Sequence, residues 1–107
     1  VIRLGYLDDE KFAAQWAASR VSSRGFGRRR LEQELRIKGI GRDIIKDTLN
    51  TLFEEAPEAD TARKEAEKKL RTLTRFEPAV RRRRLAGFLE RKGFSSEIIR
   101  SIIHTVR

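Results

Sequence analysis

The side chains of this sequence best suited to binding chemistry form two runs of consecutive arginines, Arg28–Arg30 and Arg81–Arg84. Successive residues of a helix are about 100° apart, so three neighbouring arginines span roughly 200° and cannot all face one ligand. If the leucines that follow each run are buried, Arg29 and Arg83 point most directly outward. Guanidinium groups placed this way are typical of a surface that attracts an anionic partner.

The remaining arginines of the runs flank the buried stripe on either side. The residues that we expect to contact an anionic partner are Arg24, Arg28, Arg29, Arg30, Arg82, Arg83, Arg84 and Arg91. Arg81 lies close to the apolar stripe, and we expect it to have a structural role. For each single arginine, the alternative is a solvated helix face with local ion pairs, such as Arg28 with Glu32.

Catalytic chemistry has little to work with in this sequence. The only histidine, His104, lies near the end of the chain, and no nucleophile–base or metal-ligand spacing is visible. The acidic run Asp8–Glu10 fans around a helix start, where negative charge is favourable. Gly25–Gly27 lacks the Gly-Lys-Ser/Thr of a phosphate loop, so we expect a turn; phosphate binding at the helix start that follows is the alternative. We expect neither an enzyme nor a cofactor or metal site.

Composition narrows the class of protein further. The chain has 107 residues with 25 Lys and Arg against 16 Asp and Glu, a formal net charge of +9, and no cysteine. A disulfide scaffold, a cysteine zinc site and a thiol nucleophile are therefore excluded. No apolar run approaches the length of a membrane span, and no signal-peptide pattern opens the sequence. We expect a soluble cytoplasmic protein, monomeric, with no membrane partner.

Apolar residues recur at helical spacing, and strand-type alternation is missing. The pattern predicts an all-α fold of six helices, over residues 8–21, 27–38, 42–54, 58–75, 78–92 and 96–106. Gly39 and Gly93 each suit the left-handed residue that ends a helix. Ser95 is expected to cap the last helix.

The sequence repeats itself at an offset of 54 positions. Residues 28–49 align with residues 82–103 without a gap, and nine of the 22 aligned pairs are identical. The identical pairs fall in both helices and include the glycine between them. We therefore predict two tandem three-helix repeats, residues 1–54 and 55–107, in an elongated array. Residues 1–5 are expected to be the tail of a preceding repeat.

Each unit also has the outline of a helix-turn-helix, although that pattern is weak evidence. The third helix of each unit is apolar and sparsely basic, whereas a recognition helix offers polar side chains to base edges. Phosphate or acidic-protein contact through the second helix is therefore favoured over sequence-specific base reading.

Several motifs resemble those of the RecX regulatory proteins. They are the stretch GYLDDEKFA at residues 5–13, Ser19-Arg20, RGFGRR at residues 24–29, LRIKGI at residues 35–40, and the pair RRL and RKGF at residues 83–85 and 91–94. The resemblance implies tandem three-helix repeats, commonly three, of which this chain would hold the second and third. It also implies a regulator that binds the RecA recombinase and its nucleoprotein filament, mostly inhibiting its activity in recombination and DNA repair; some family members bind DNA.

Two functions remain open at this stage. The first is a RecA modulator without chemistry of its own. The second is a non-specific nucleic-acid-binding helical module, for single- or double-stranded DNA. They differ in whether the arginines contact an acidic protein surface or phosphates.

Overall fold

The computed structural model describes residues 6–106, and the side chains from residue 8 onward. Six α-helices and no strand occur within this range. Their bounds are Tyr6–Arg24 (α1), Arg28–Ile37 (α2), Arg42–Glu55 (α3), Glu58–Arg71 (α4), Pro78–Lys92 (α5) and Ser96–Thr105 (α6). The predicted all-α class is confirmed. Residues 1–5, predicted to be the tail of a preceding repeat, lie outside the described residues.

The predicted fourth helix was too long, since α4 ends at Arg71 and not at residue 75. The Thr72 hydroxyl donates to the Lys69 carbonyl (2.7 Å), and the Leu73 amide donates to the carbonyl of Leu70, only three residues back (3.0 Å). This tightening turns Leu73 into the core, where it is 4% exposed. The apolar spacing that suggested a longer helix is instead satisfied by a turn.

Two separate apolar clusters hold the chain together, one in each three-helix unit. In the first, Leu31, Leu35 and Leu49 are fully buried. In the second, Leu85 and Leu89 take the places of Leu31 and Leu35 at the 54-residue offset and are equally buried. The molecule is therefore two small cores in tandem, with principal extents of 53, 25 and 20 Å. The division between residues 54 and 55 stays a prediction.

The ends of the second helices repeat closely. Gly39 and Gly93 both adopt left-handed backbone conformations, with φ of +85° and +94°, as predicted. Only glycine takes this conformation without strain, which is why each helix ends where it does. The predicted cap at Ser95 is also confirmed, since its hydroxyl accepts from the Ile98 amide (3.3 Å).

The junction between the units lies where α5 ends and α2 begins. The carbonyl of Lys92 accepts from the Gly27 amide (2.7 Å), and the carbonyl of Gly93 accepts from the Arg29 amide (3.0 Å). The carboxylate of Glu58 accepts from the Arg28 amide (2.9 Å). The free carbonyls at the end of α5 thus accept hydrogen bonds from the free amides at the start of α2. The negative end of the α5 dipole meets the positive end of the α2 dipole, which is favourable.

These bonds decide the role of the glycine motif. Gly25 has a φ of +64°, and a Cβ at Gly27 would lie 2.7 Å from the carbonyl carbon of Gly93. The predicted turn is confirmed, and the two glycines allow it to pack against the second unit. The phosphate alternative is not supported, because the amides of Gly27, Arg28 and Arg29 at that helix start already have acceptors in the second unit.

Candidate anionic-partner interface

The two arginines predicted to point outward do so. Arg29 on α2 and Arg83 on α5 are exposed, and neither side chain makes a hydrogen bond or ion pair with another described residue. Both occupy the same position of their units at the 54-residue offset. Their donors are available to a partner from solution.

Arg28, unlike Arg29, has partners within the molecule. Its Nε lies 3.1 Å from the Glu32 carboxylate and its Nη2 2.8 Å from the Asn50 side-chain oxygen, and the residue is half-buried. The ion pair with Glu32 is the local alternative that the sequence left open. In the second unit, position 86 is an alanine, and half-buried Arg82 has no such pair among the described residues.

Arg30 lies at the junction and joins the two units. Its Nη1 donates to the carbonyl of Arg91 (3.1 Å), its Nε lies 3.6 Å from Glu34, and its guanidinium stacks 4.4 Å from the ring centre of Phe26. The junction therefore places Arg30 beside the end of α5, where Arg91 is exposed. Arg24 is exposed just before the turn, with its carbonyl accepting from Lys92.

Arg81 has the structural role that the sequence indicated. It is half-buried and its Nη1 donates to the carbonyl of Phe76 (2.7 Å). This bond closes the loop between α4 and α5 and agrees with the omission of Arg81 from the predicted partner-binding residues.

The structure brings three of the predicted arginines together in one depression. An open groove of about 340 Å³, here the α4–α5 groove, is lined by Lys69, Leu73, Arg83, Arg84, Gly87 and Arg91. No carboxylate lines it. The sequence analysis did not predict Lys69, because this residue lies on α4, outside both arginine runs. It did not predict Gly87 either, because glycine carries no charge.

A second groove lies on the first unit. This α2–α3 groove, of about 700 Å³, is lined by Arg28, Glu32, Arg36, Ile40, Arg42, Ile45 and Lys46. Three exposed cations here were not predicted: Arg36, Arg42 and Lys46. Their spacing held the information, since Arg28, Glu32 and Arg36 follow one another at four-residue intervals along one helix face.

Arg28 and Arg30 consequently serve different surfaces, as the angular argument requires. Arg28 lines the α2–α3 groove, and Arg30 meets the end of α5. The arrangement offers hydrogen-bond donors and positive charge at two places. Across the described residues, no cluster of three or more His, Cys, Asp or Glu side chains could hold a metal ion. The described helices include none with the length and apolar character needed to cross a membrane.

Comparison with known proteins shows which family has this arrangement of helices. Residues 8–49 match the model of the second three-helix domain of RecX, and residues 57–103 match that of the third. Each match covers most of the three helices of one unit. The tandem architecture deduced from the internal repeat is therefore that of two consecutive family domains.

Individual relatives agree with the domain matches. The regulatory protein RecX of Streptomyces coelicolor is 41% identical over 92 residues, which are 86% of this chain and 48% of that protein. RecX of Trichlorobacter lovleyi is 34% identical over 106 residues, which are 95% of this chain and 67% of that protein.

A solved structure shares the fold. A crystal structure of regulatory protein RecX superposes with a TM-score of 0.78 at 30% identity, covering 90% of this chain and 46% of that one. The chain spans about half the length of several of the relatives it matches. The two domain models, the named relatives and the solved structure all agree. The chain belongs to the RecX family of regulatory proteins.

Proposed function

We propose that this chain binds the RecA recombinase on its nucleoprotein filament and lowers its activity. The relatives named above are regulatory proteins, and the family resemblance implies RecA as the regulated protein. The regulator acts by occupying the filament rather than by chemistry of its own. It acts as a monomer, in the cytoplasm, where RecA assembles on DNA.

The observation that carries the proposal is the pairing of two tandem units with cations that no described carboxylate neutralises. Main-chain bonds across the junction link the second unit to the first, and the exposed Arg29 and Arg83 recur at the same position of each unit. A filament is a periodic acidic array of protein and phosphate, and a repeated basic surface can engage such an array at more than one place. The net charge of +9 favours rapid association with such a surface.

The direct test is a titration of the RecA ATPase on single-stranded DNA. We expect this chain to inhibit hydrolysis at concentrations where, at the same salt, a DNA-only binding curve shows naked DNA barely bound. Inhibition that appears only once the naked DNA is saturated would identify the nucleic-acid-binding module instead. Activity that is unchanged throughout would refute the proposal.

Substitution of the two outward arginines sharpens this test. Arg29→Glu with Arg83→Glu should raise the concentration for half-inhibition about tenfold, equivalent to about 1.4 kcal/mol, and leave helicity near wild type because both side chains are exposed. The matched control is Arg71→Glu with Arg100→Glu, which makes the same charge change at exposed sites outside the predicted partner-binding residues. Equal weakening in both variants would show that net charge, and not placement, determines binding.

A further inference from the structure

The α2–α3 groove of the first unit carries charges that the three-helix fold does not require. At the 54-residue offset, Arg36 and Arg42 correspond to Glu90 and Ser96 of the second unit, and all four residues are exposed. The two units share their buried leucines and their left-handed glycines, so both pairs of residues are compatible with the same backbone. A difference confined to exposed side chains concerns what the surface contacts, and not how the unit folds.

Three of the cations in this groove are unneutralised. Arg28 and Glu32 form an internal ion pair, in which the Arg28 Nε lies 3.1 Å from the Glu32 carboxylate. The other cations of the lining are exposed and make no hydrogen bond or ion pair with another described residue; they are Arg36, Arg42 and Lys46. The depression therefore has an excess of positive charge, with donors available to a partner from solution.

The floor of the groove is apolar. Ile40 and Ile45 line it, and each keeps about a twentieth of its surface exposed, 5% and 6%. The volume of about 700 Å³ lies within the range of clefts that bind ligands several side chains in size. An apolar floor flanked by unpaired cations suits a ligand that carries carboxylates and an apolar side chain together.

A protein segment fits this lining better than a nucleic-acid strand does. A phosphate backbone is charged at every step, and the Glu32 carboxylate in the lining would repel it along the groove. Such a backbone also offers no apolar side chain to Ile40 and Ile45. A peptide can carry acidic and aliphatic residues side by side, so that its carboxylates reach the cations while a leucine contacts the floor.

We propose that the α2–α3 groove binds a short acidic segment of a partner protein, one with an aliphatic side chain between its carboxylates. The three unneutralised cations bind the carboxylates, and the isoleucine floor receives the aliphatic side chain. Arg28 and Arg36 are about 12 Å apart along the α2 axis, which is the length of about four extended residues, so the bound segment is short. The inference rests on the proposed function for its setting, in which the partner is the protein component of the filament.

A small peptide tests the groove without RecA. The probe is a fluorescein-labelled, C-terminally amidated peptide, Asp-Asp-Leu-Asp-Asp, and fluorescence anisotropy measures its dissociation constant with the full chain at fixed salt. Replacement of its leucine by serine keeps the charge and should weaken binding about tenfold, because the floor loses an apolar contact. Equal affinity for the two peptides would overturn the proposal, since charge alone would then account for binding.

The second unit supplies the variant that tests the cations. Arg36→Glu with Arg42→Ser installs the residues found at the matching positions, so we expect the melting temperature to stay near that of the wild type. Peptide binding should weaken at least tenfold, because two of the three unneutralised cations are lost. The control, Arg71→Glu with Arg100→Ser, makes the same charge change at exposed sites on α4 and α6 and should weaken binding less than threefold. Equal weakening in the two variants would overturn the proposal.

Other occupants of the groove give different results. A five-nucleotide oligo(dT), with four phosphates against the four aspartates, would displace the labelled peptide better than unlabelled peptide does if the groove bound nucleic acid. Self-association of the wild-type chain in sedimentation velocity, lost in Arg36→Glu with Arg42→Ser, would assign the groove to a second copy of this chain. Either result would overturn the inference.

The RecA ATPase assay measures the proposed function separately. Inhibition by the wild-type chain, together with failure of the peptide experiments, removes this inference alone. Peptide binding that follows the expected order of variants, without inhibition of RecA, removes the proposed function and leaves the groove as a site for an acidic protein segment.

Discussion

The second helix of each unit ends with the same Lys-Gly pair, but the two pairs make different contacts. Lys38 and Gly39 lie on the surface, with the Lys38 ammonium 4.7 Å from the ring centre of Trp16. Lys92 and Gly93 lie in the junction. The Lys92 ammonium is 3.3 Å from the Glu65 carboxylate and bonds the Arg24 carbonyl, and Gly93 is buried.

The comparison separates what a motif determines by itself from what its neighbour adds. The left-handed glycine is the same in both units, because it follows from ending a helix. Burial and ion pairing differ, because only the second unit has another helix start docked on it. The Lys92-Gly93 pair is therefore expected to contribute more to the free energy of unfolding than the Lys38-Gly39 pair. Unfolding of variants measures the difference.

The largest expected difference is between Gly93→Ala and Gly39→Ala. Both place a side chain at positive φ, which costs about 1 to 2 kcal/mol. At Gly93 the new Cβ would also lie 2.4 Å from the Arg30 amide nitrogen, so the junction must open, and we expect a total loss of about 3 kcal/mol or more.

Urea unfolding followed in parallel by circular dichroism and by fluorescence of Trp16, the only tryptophan, measures this difference. Gly93→Ala should also separate the two transitions, since Trp16 reports on the first unit alone. Equal losses for the two variants would show that backbone strain, and not docking, accounts for the cost.

The features that the two units share could be predicted from the sequence. Leu31, Leu85 and the left-handed glycines follow from local periodicity and helix-ending chemistry, and all were found where expected. The outward direction of Arg29 and Arg83 followed from angle alone. These features are local, because each depends on residues within one or two helical turns.

The junction could not be predicted in this way. Gly27 and Lys92 are 65 positions apart, and no local rule states that the amide of one meets the carbonyl of the other. One clue was present: Gly25-Phe26-Gly27 has no counterpart in the second unit, where the matching residues 79–81 form the first turn of α5. A motif that breaks an internal repeat indicates a contact that the repeat does not share.

The next contrast compares the two lysines. Lys92→Met removes the bond to the Arg24 carbonyl and an ion pair with half-buried Glu65, so we expect a loss of about 1 to 2 kcal/mol. Lys38→Met removes one exposed contact with Trp16, for which about 0.5 kcal/mol is expected. The midpoints of urea unfolding test this, and an order reversed between the two would contradict the assignment of Lys92 to the junction.

The smallest effect concerns Glu58, the acid that the second unit contributes to the first turn of α2. Burial raises the pKa of Glu58 above its ordinary value of 4.5, as does the neighbouring charge of Glu32, against the lowering effects of the Arg28 amide bond and the Arg28 charge. A carboxyl with a raised pKa holds its proton more tightly in the folded state. Stability contributed by this group is therefore greatest below pH 4.5 and is lost as the pH rises through the folded-state pKa.

Glu58→Gln keeps an oxygen acceptor for the Arg28 amide and removes the titration. The free energy of unfolding of the variant minus that of the wild type should consequently rise as the pH goes from 4 to 7, most steeply just above 4.5. Glu54→Gln, at an exposed site on α3, is the control for any change in net charge. A difference that falls with pH would mean that the Arg28 contacts outweigh burial, and that the junction favours the charged carboxylate.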